Sequence, residues 1–105
     1  MTIPKTLKIL GRTVKVCTSP KMEGMAGEWK ACDYVIDILQ GQNTLDELDT
    51  LLHEVMHAIL HCQGRENGAE TEETYVRALA TGLLMVLRQN PKFVVYLMQE
   101  VKGTK

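Results

Sequence analysis

Apolar and polar positions alternate near the start of the chain and then change period. Leu7-Lys8-Ile9-Leu10 and Thr13-Val14-Lys15-Val16 place an apolar residue at every second position, the pattern of strands with one buried face. Gly11-Arg12 lies between them and predicts a tight hairpin turn. Ser19-Pro20 and Gly24-Met25-Ala26-Gly27 mark a loop. Beyond it, Glu28 to Ala31 forms a candidate third strand. Tyr34-Val35-Ile36-Asp37-Ile38-Leu39, rich in β-branched residues, forms a stronger one that Gly41 ends.

From residue 44 the period becomes helical. Thr44-Leu45-Asp46-Glu47 has the T-x-x-E form of a capping box, with Asp46 and Glu47 at the positive end of the helix dipole. Leu48, Leu51, Leu52, Val55, Met56 and Ile59 follow at helical spacing, and Gly64 is the natural stop. A polar connection, Arg65 to Ala69, leads to a second helix from about Thr71, with the stripe Val76, Leu79, Ala80, Leu83, Leu84 and Leu87. Gly82 inside it predicts close helix packing or a tolerated weakness. Asn90 and Pro91 supply the N-cap and first position of a third helix, whose predicted buried face is Val94, Val95, Leu97, Met98 and Val101. Lys102 to Lys105 reads as a frayed tail. The expected fold is α+β: a small antiparallel N-terminal sheet of three or four strands followed by three helices. With 105 residues and no linker, one domain is expected over residues 1–105.

Composition narrows the function classes. Hydrophobic residues make up 45% and charged residues 24%, the balance of a soluble globular domain. A net charge of -1 gives no basic excess to grip a phosphate backbone, so no nucleic-acid partner is expected. Cys17, Cys32 and Cys62 are odd in number and form no C-x-x-C pair, which points to free, partly buried thiols in a reducing compartment. The N-terminus shows no apolar signal segment. The longest nearly apolar run, Ala78 to Leu87, falls well short of the roughly 20 residues that span a bilayer. These features predict a cytoplasmic protein without membrane attachment.

The chemistry concentrates on the first helix, in His53-Glu54-Val55-Met56-His57. Four residues advance about 6 Å and rotate about 40°, so both imidazoles leave one face and can converge on one Zn²⁺ ion. Glu54 is turned about 100° from His53. A carboxylate there lies beside the metal rather than on it, placed to take a proton from zinc-bound water. Two imidazoles need a third protein ligand. His61 continues the ladder but lies about 12 Å along the axis from His53, too far to share the ion. It reads as a partly exposed or outer residue. The acidic cluster Glu70, Glu72 and Glu73 opens the second helix, where all three also favour the helix dipole. Glu73 shares a face with Val76 and Ala80, and Glu72 lines up with Val76 and Leu79. Glu73 is the first candidate ligand and Glu72 the second.

His53-Glu54-x-x-His57 followed by Glu73-x-x-Val76-x-x-Leu79-Ala80 resembles small gluzincin metallopeptidases, in particular the ImmA/IrrE-like family and the short zincin-like proteins of phages and prophages. The runs Val76 to Leu83 and Leu87 to Pro91 also look like the phage proteins. The resemblance implies a minimal zincin-like core, with a small sheet ahead of the motif helix. It also implies one Zn²⁺ held by His53, His57 and Glu73, and Glu54 as general base. The expected activity is zinc-dependent hydrolysis of peptide bonds in a peptide or protein substrate. The substrate strand is expected beside an edge strand of the sheet, for which Tyr34 to Leu39 is the candidate. Tyr75, Tyr34, Arg77 and His61 are candidates to stabilise an oxyanion, and Trp29 is a core residue or cleft wall. Met56, Met85 and Met98 read as core filler. The alternative is a zinc-stabilised, non-catalytic interaction or regulatory module on the same fold.

Overall fold

A computed structural model describes residues 2–65 and 68–103. Glu66 and Asn67 of the expected connection, and Thr104 and Lys105 of the expected tail, lie outside the described residues. Four strands, β1 (Thr6–Ile9), β2 (Arg12–Ser19), β3 (Gly27–Lys30) and β4 (Val35–Leu39), precede three helices, α1 (Thr44–Cys62), α2 (Ala69–Gln89) and α3 (Pro91–Gly103). The expected α+β class holds. The sheet itself is mixed rather than antiparallel throughout: its order is β1-β2-β4-β3, and β2 and β4 run parallel.

The strand order follows from what each segment can bury. β4 carries Ile36 and Ile38, both fully buried, and its neighbours on each side cover its backbone. A β-branched run of this kind belongs in the middle of a sheet. The expectation that Tyr34 to Leu39 forms an edge is therefore corrected: the edges are β1 and β3. The loop around Gly24 carries the chain past the β4 position, β3 forms the outer strand, and β4 returns into the gap.

The first hairpin turns one residue earlier than expected. Leu10 and Gly11 have φ values of 50° and 83°, and Ile9 pairs with Arg12. Positive φ at both loop residues is the primed turn that matches strand twist. Val14, Val16, Ile36 and Ile38 line the inner sheet face, and Ala58 of α1 is buried against them. Leu51, Val55, Ile59 and Cys62 pack beside it, so part of the predicted apolar stripe of α1 covers one face of the sheet, while Leu48 of that stripe is exposed. Cys17 and Cys32 are exposed and Cys62 half-buried; all three are free.

Helix ends show where local chemistry decides. The N-cap of α1 is Asn43, not Thr44: Asn43 Oδ1 accepts from the Asp46 amide at 2.9 Å, and Asn43 Nδ2 donates to Asp46 Oδ2 at 2.9 Å. The cap is shifted by one residue, and Asp46 returns the contact side chain to side chain rather than to the Asn43 backbone amide of a capping box. At the other end Gly64, with φ 65°, donates to His61 O, and Arg65 donates to Leu60 O. This pair of bonds is the Schellman stop that Gly64 predicts.

α2 starts two residues before the expected Thr71 and packs antiparallel on α1 through Val76, Ala80 and Leu84. Leu79 and Leu83 are exposed, so the buried stripe is narrower than predicted. Gly82 faces open space and serves no close helix contact. α3 begins at Pro91 as expected but buries no residue; Val95, Met98 and Val101 of its predicted face are exposed, as is Met85 of α2. Among the described residues α3 touches α2 alone. No helix of the described residues is long and apolar enough to cross a membrane.

The cap assignment has a direct test. Asn43→Ala is expected to lower unfolding stability by about 1 kcal/mol in urea, while Thr44→Ala, at the exposed first helical position, changes it little. A loss confined to Thr44→Ala would place the cap at Thr44.

Candidate metal centre

Burial fixes the roll of each helix, and the roll aims the side chains. On α1, Leu51, Val55, Ala58 and Cys62 face the sheet. At 100° per residue, His53 and His57 then point to the opposite side, and Glu54 to the flank between. On α2, Val76, Ala80 and Leu84 face the body of the protein. Glu73 lies in register with them, one turn before Val76, and so is carried toward α1. Thr81 Oγ1 donates to Asp49 Oδ1 at 2.8 Å and pins the two helices further along.

The result is a three-residue cluster. His53 Nε2 lies 2.6 Å from Glu73 Oε1, His57 Nε2 lies 3.1 Å from Glu73 Oε2, and the two Nε2 atoms are 3.3 Å apart. One donor atom from each of His53, His57 and Glu73 lies within 4.8 Å of the others, so the group could hold a metal ion. Glu72, the second candidate, reaches a different atom: its Oε2 is hydrogen-bonded to His57 Nδ1, on the far side of the ring. Glu70 is exposed. His61 is not in the cluster; its ring stacks edge-on with Trp29 at 5.8 Å and Tyr34 at 6.0 Å.

Glu54 is only 7% exposed. Its burial pushes the carboxyl pKa up from 4.5 to about 7, and the negative charges of Glu73 and Glu28 act in the same direction. His57 and a hydrogen bond from the Trp29 backbone amide act against it. Burial also lowers the pKa of His53, favouring the neutral imidazole that binds metals. Gly27 makes the close approach of β3 possible: a β-carbon there would stand 2.6 Å from Thr50 Cγ2 and 3.3 Å from Glu54 Cγ.

The cluster opens into a cavity of about 760 Å³, bounded by β3 with the loop before it and by α1 and α2. That volume lies in the range of small-molecule and peptide pockets. Trp29 fills both roles considered for it, packing against the core and lining this cavity. Of the four candidate oxyanion donors, Arg77 alone lines the cavity among the described residues. It also pairs with Glu73 Oε1 at 3.6 Å. Tyr34 is engaged by Trp29, His61 and the Arg12 guanidinium, and Tyr75 lines a separate groove.

No family model, curated protein or solved structure matches the chain. What stands is the group itself: a His-His-Glu constellation on two helices, beside a buried carboxylate. The sequence pattern did not reveal Gly27 or the Trp29 amide as neighbours of Glu54. They come together only through the position of β3, which periodicity does not specify.

The raised Glu54 pKa has a consequence for the metal-free protein. Between pH 4.5 and about 7 the folded state holds a proton that the unfolded chain has released, so this group's contribution to stability falls as pH rises. The loss accumulates across that window and levels off above it. In chelator, thermal unfolding of Glu54→Gln should therefore gain on the native protein from pH 4.5 to about 7 and then run parallel. Parallel profiles throughout would show that Glu54 titrates normally.

Proposed function

We propose that the protein is a zinc-dependent peptidase. The observation that carries this reading is the convergence of His53, His57 and Glu73 donor atoms at the wall of an open cavity, with the buried Glu54 carboxyl alongside. The donor set suits zinc. Two imidazoles and a carboxylate are a catalytic zinc combination that keeps a further position open. Tetrahedral bonds of about 2.0–2.1 Å separate neighbouring donors by about 3.4 Å. The observed separations of 3.3 and 3.1 Å are close to that, and the 2.6 Å contact needs only a small outward turn of Glu73. The two Nε2 atoms and the Glu73 carboxylate converge closely enough for one cation to share them.

When bound, zinc would act as a Lewis acid on water and on the carbonyl it attacks. The chain's own residues supply the rest. Glu54, the buried carboxyl beside the cluster, would accept a proton from the attacking water and return it to the leaving amine. The Trp29 amide holds that carboxylate in place. Arg77 is the side chain placed to offset negative charge developing on the carbonyl oxygen. β3 is the edge strand that borders the cavity, so an extended peptide would add along β3 rather than along β4.

A second reading has one specific observation behind it. Phe93, Val95, Tyr96, Met98 and Val101 of α3 are exposed, an apolar surface of the kind that marks an interaction site. A zinc-stabilised interaction module would use that surface and leave Glu54 without a catalytic task.

Zinc content and peptide cleavage, measured together on native protein and three variants, decide between them. Native protein is expected to hold one zinc per chain and to cleave members of a broad peptide library. Glu54→Gln should keep zinc and lose roughly 10²–10⁴-fold in cleavage rate. Glu73→Ala should lose zinc, while Glu70→Ala keeps it. Stoichiometric zinc with no cleavage by native protein selects the interaction module; no stoichiometric zinc under metal-replete conditions overturns both readings.

A further inference from the structure

We propose that two copies of this chain associate, with α3 of each seated in the apolar groove between α1 and α2 of the other. The inference rests on neither functional reading above, and it gives the open α3 surface an occupant.

The two faces match in chemistry and in spacing. Met56, Leu60, Tyr75 and Leu79 line a groove of about 250 Å³ between α1 and α2. Tyr75, Leu79 and Leu83 run along α2 at four-residue spacing, and all three are exposed. On α3, Val95, Met98 and Val101 recur every three residues, and each is more than half exposed. A ridge of three-residue spacing packs into the furrow beside a row of four-residue spacing, the arrangement of most four-helix bundles. α3 buries none of its own residues. Apolar side chains nonetheless cover more than half of its circumference, as on a helix that others enclose.

The connection between the helices selects a second copy over the chain's own α3. Asn90 alone joins α2 to α3, whereas antiparallel helix hairpins use loops of about 2–5 residues. Tyr75 and Leu79 lie about 16–22 Å along the α2 axis from Asn90. α3 cannot turn back along α2 to reach them. Among the described residues it makes no contact with α1, the other wall of the groove. One chain carries both ridge and groove, so two copies exchange both contacts about a two-fold axis and the pair closes. The area is sufficient. Tyr75, Phe93 and Tyr96, with Leu79, Leu83 and the three ridge residues, leave roughly 700 Å² of apolar surface open on each chain. A standard interface takes about 800 Å² from each partner. A net charge of -1 adds little repulsion between copies.

The test uses the full chain. Sedimentation equilibrium from micromolar to millimolar concentration should give twice the chain mass. In a mixture of ¹³C-labelled and unlabelled protein, isotope-filtered NOEs should join the Met98 and Val101 methyls of one copy to Leu60 or Leu79 of the other. Leu79→Glu and Met98→Lys each place a charge at a position more than half exposed in the single chain, so folding is retained, which near-UV circular dichroism checks. Each should weaken the dimer by roughly 100-fold or more. Mixed together, the two variants should associate again, because one α3–groove contact is then native and the other carries opposite charges. Native protein that stays monomeric throughout, including one whose open face takes a different partner, overturns the proposal. So does a dimer whose interchain NOEs miss α3 or the groove, or folded variants that dimerise as the native chain does.

Discussion

The rotational setting of α1 on the sheet is the constraint on which the site depends. Ala58 is fully buried against a layer of Val14, Val16, Ile36 and Ile38, and its small side chain lets the helix lie close to the strands. Once that face is fixed, His53 and His57 cannot point anywhere but away from the sheet, and Glu54 cannot avoid β3. The roll of α2 is set in the same manner by Val76, Ala80 and Leu84, and it delivers Glu73 to the imidazoles. Each polar residue is therefore positioned by apolar burial elsewhere on its own helix.

The electrostatics follow from that placement. Glu54, Glu72 and Glu73 are brought near two imidazoles in surroundings that water reaches only partly. Burial raises the Glu54 pKa, and the charges of Glu73 and Glu28 act in the same direction. Their partners differ. Glu72 meets His57 Nδ1, Glu73 meets both Nε2 atoms, and Glu54 meets the Trp29 amide. One divalent cation among the Nε2 atoms and Glu73 would offset the excess negative charge, leaving Glu54 beside it and Glu72 behind it.

Much of this was legible in the sequence where one element contains the whole signal. The His53–His57 spacing, the apolar stripe of α1 and the Gly64 stop lie within a single helix, and local periodicity is enough for them. The choice between Glu72 and Glu73 was not legible at that level, because adjacent residues differ only by the roll of α2. Its predicted stripe included Leu79 and Leu83, which are exposed, and so blurred that roll. Strand order was misread for a similar reason. The β-branched run in Tyr34 to Leu39 shows a strand but not its neighbours, and only pairing with both β2 and β3 makes it central. α3 has helical spacing without burial, since an amphipathic pattern shows what a helix can cover and not whether a partner is there. The cap shift from Thr44 to Asn43 is smaller: both residue types can cap, and the hydrogen bond to Asp46 decides.

The central claim is that the two Nε2 atoms and Glu73 form one metal site. X-ray absorption at the zinc edge of the zinc-loaded protein tests it most directly. The account predicts a first shell of nitrogen and oxygen at about 2.0–2.1 Å with the outer-shell scattering of two imidazole rings. That second imidazole signal should be lost in His53→Ala. A shell of sulfur at about 2.3 Å, or one without imidazole scattering, would place the metal elsewhere and contradict the account.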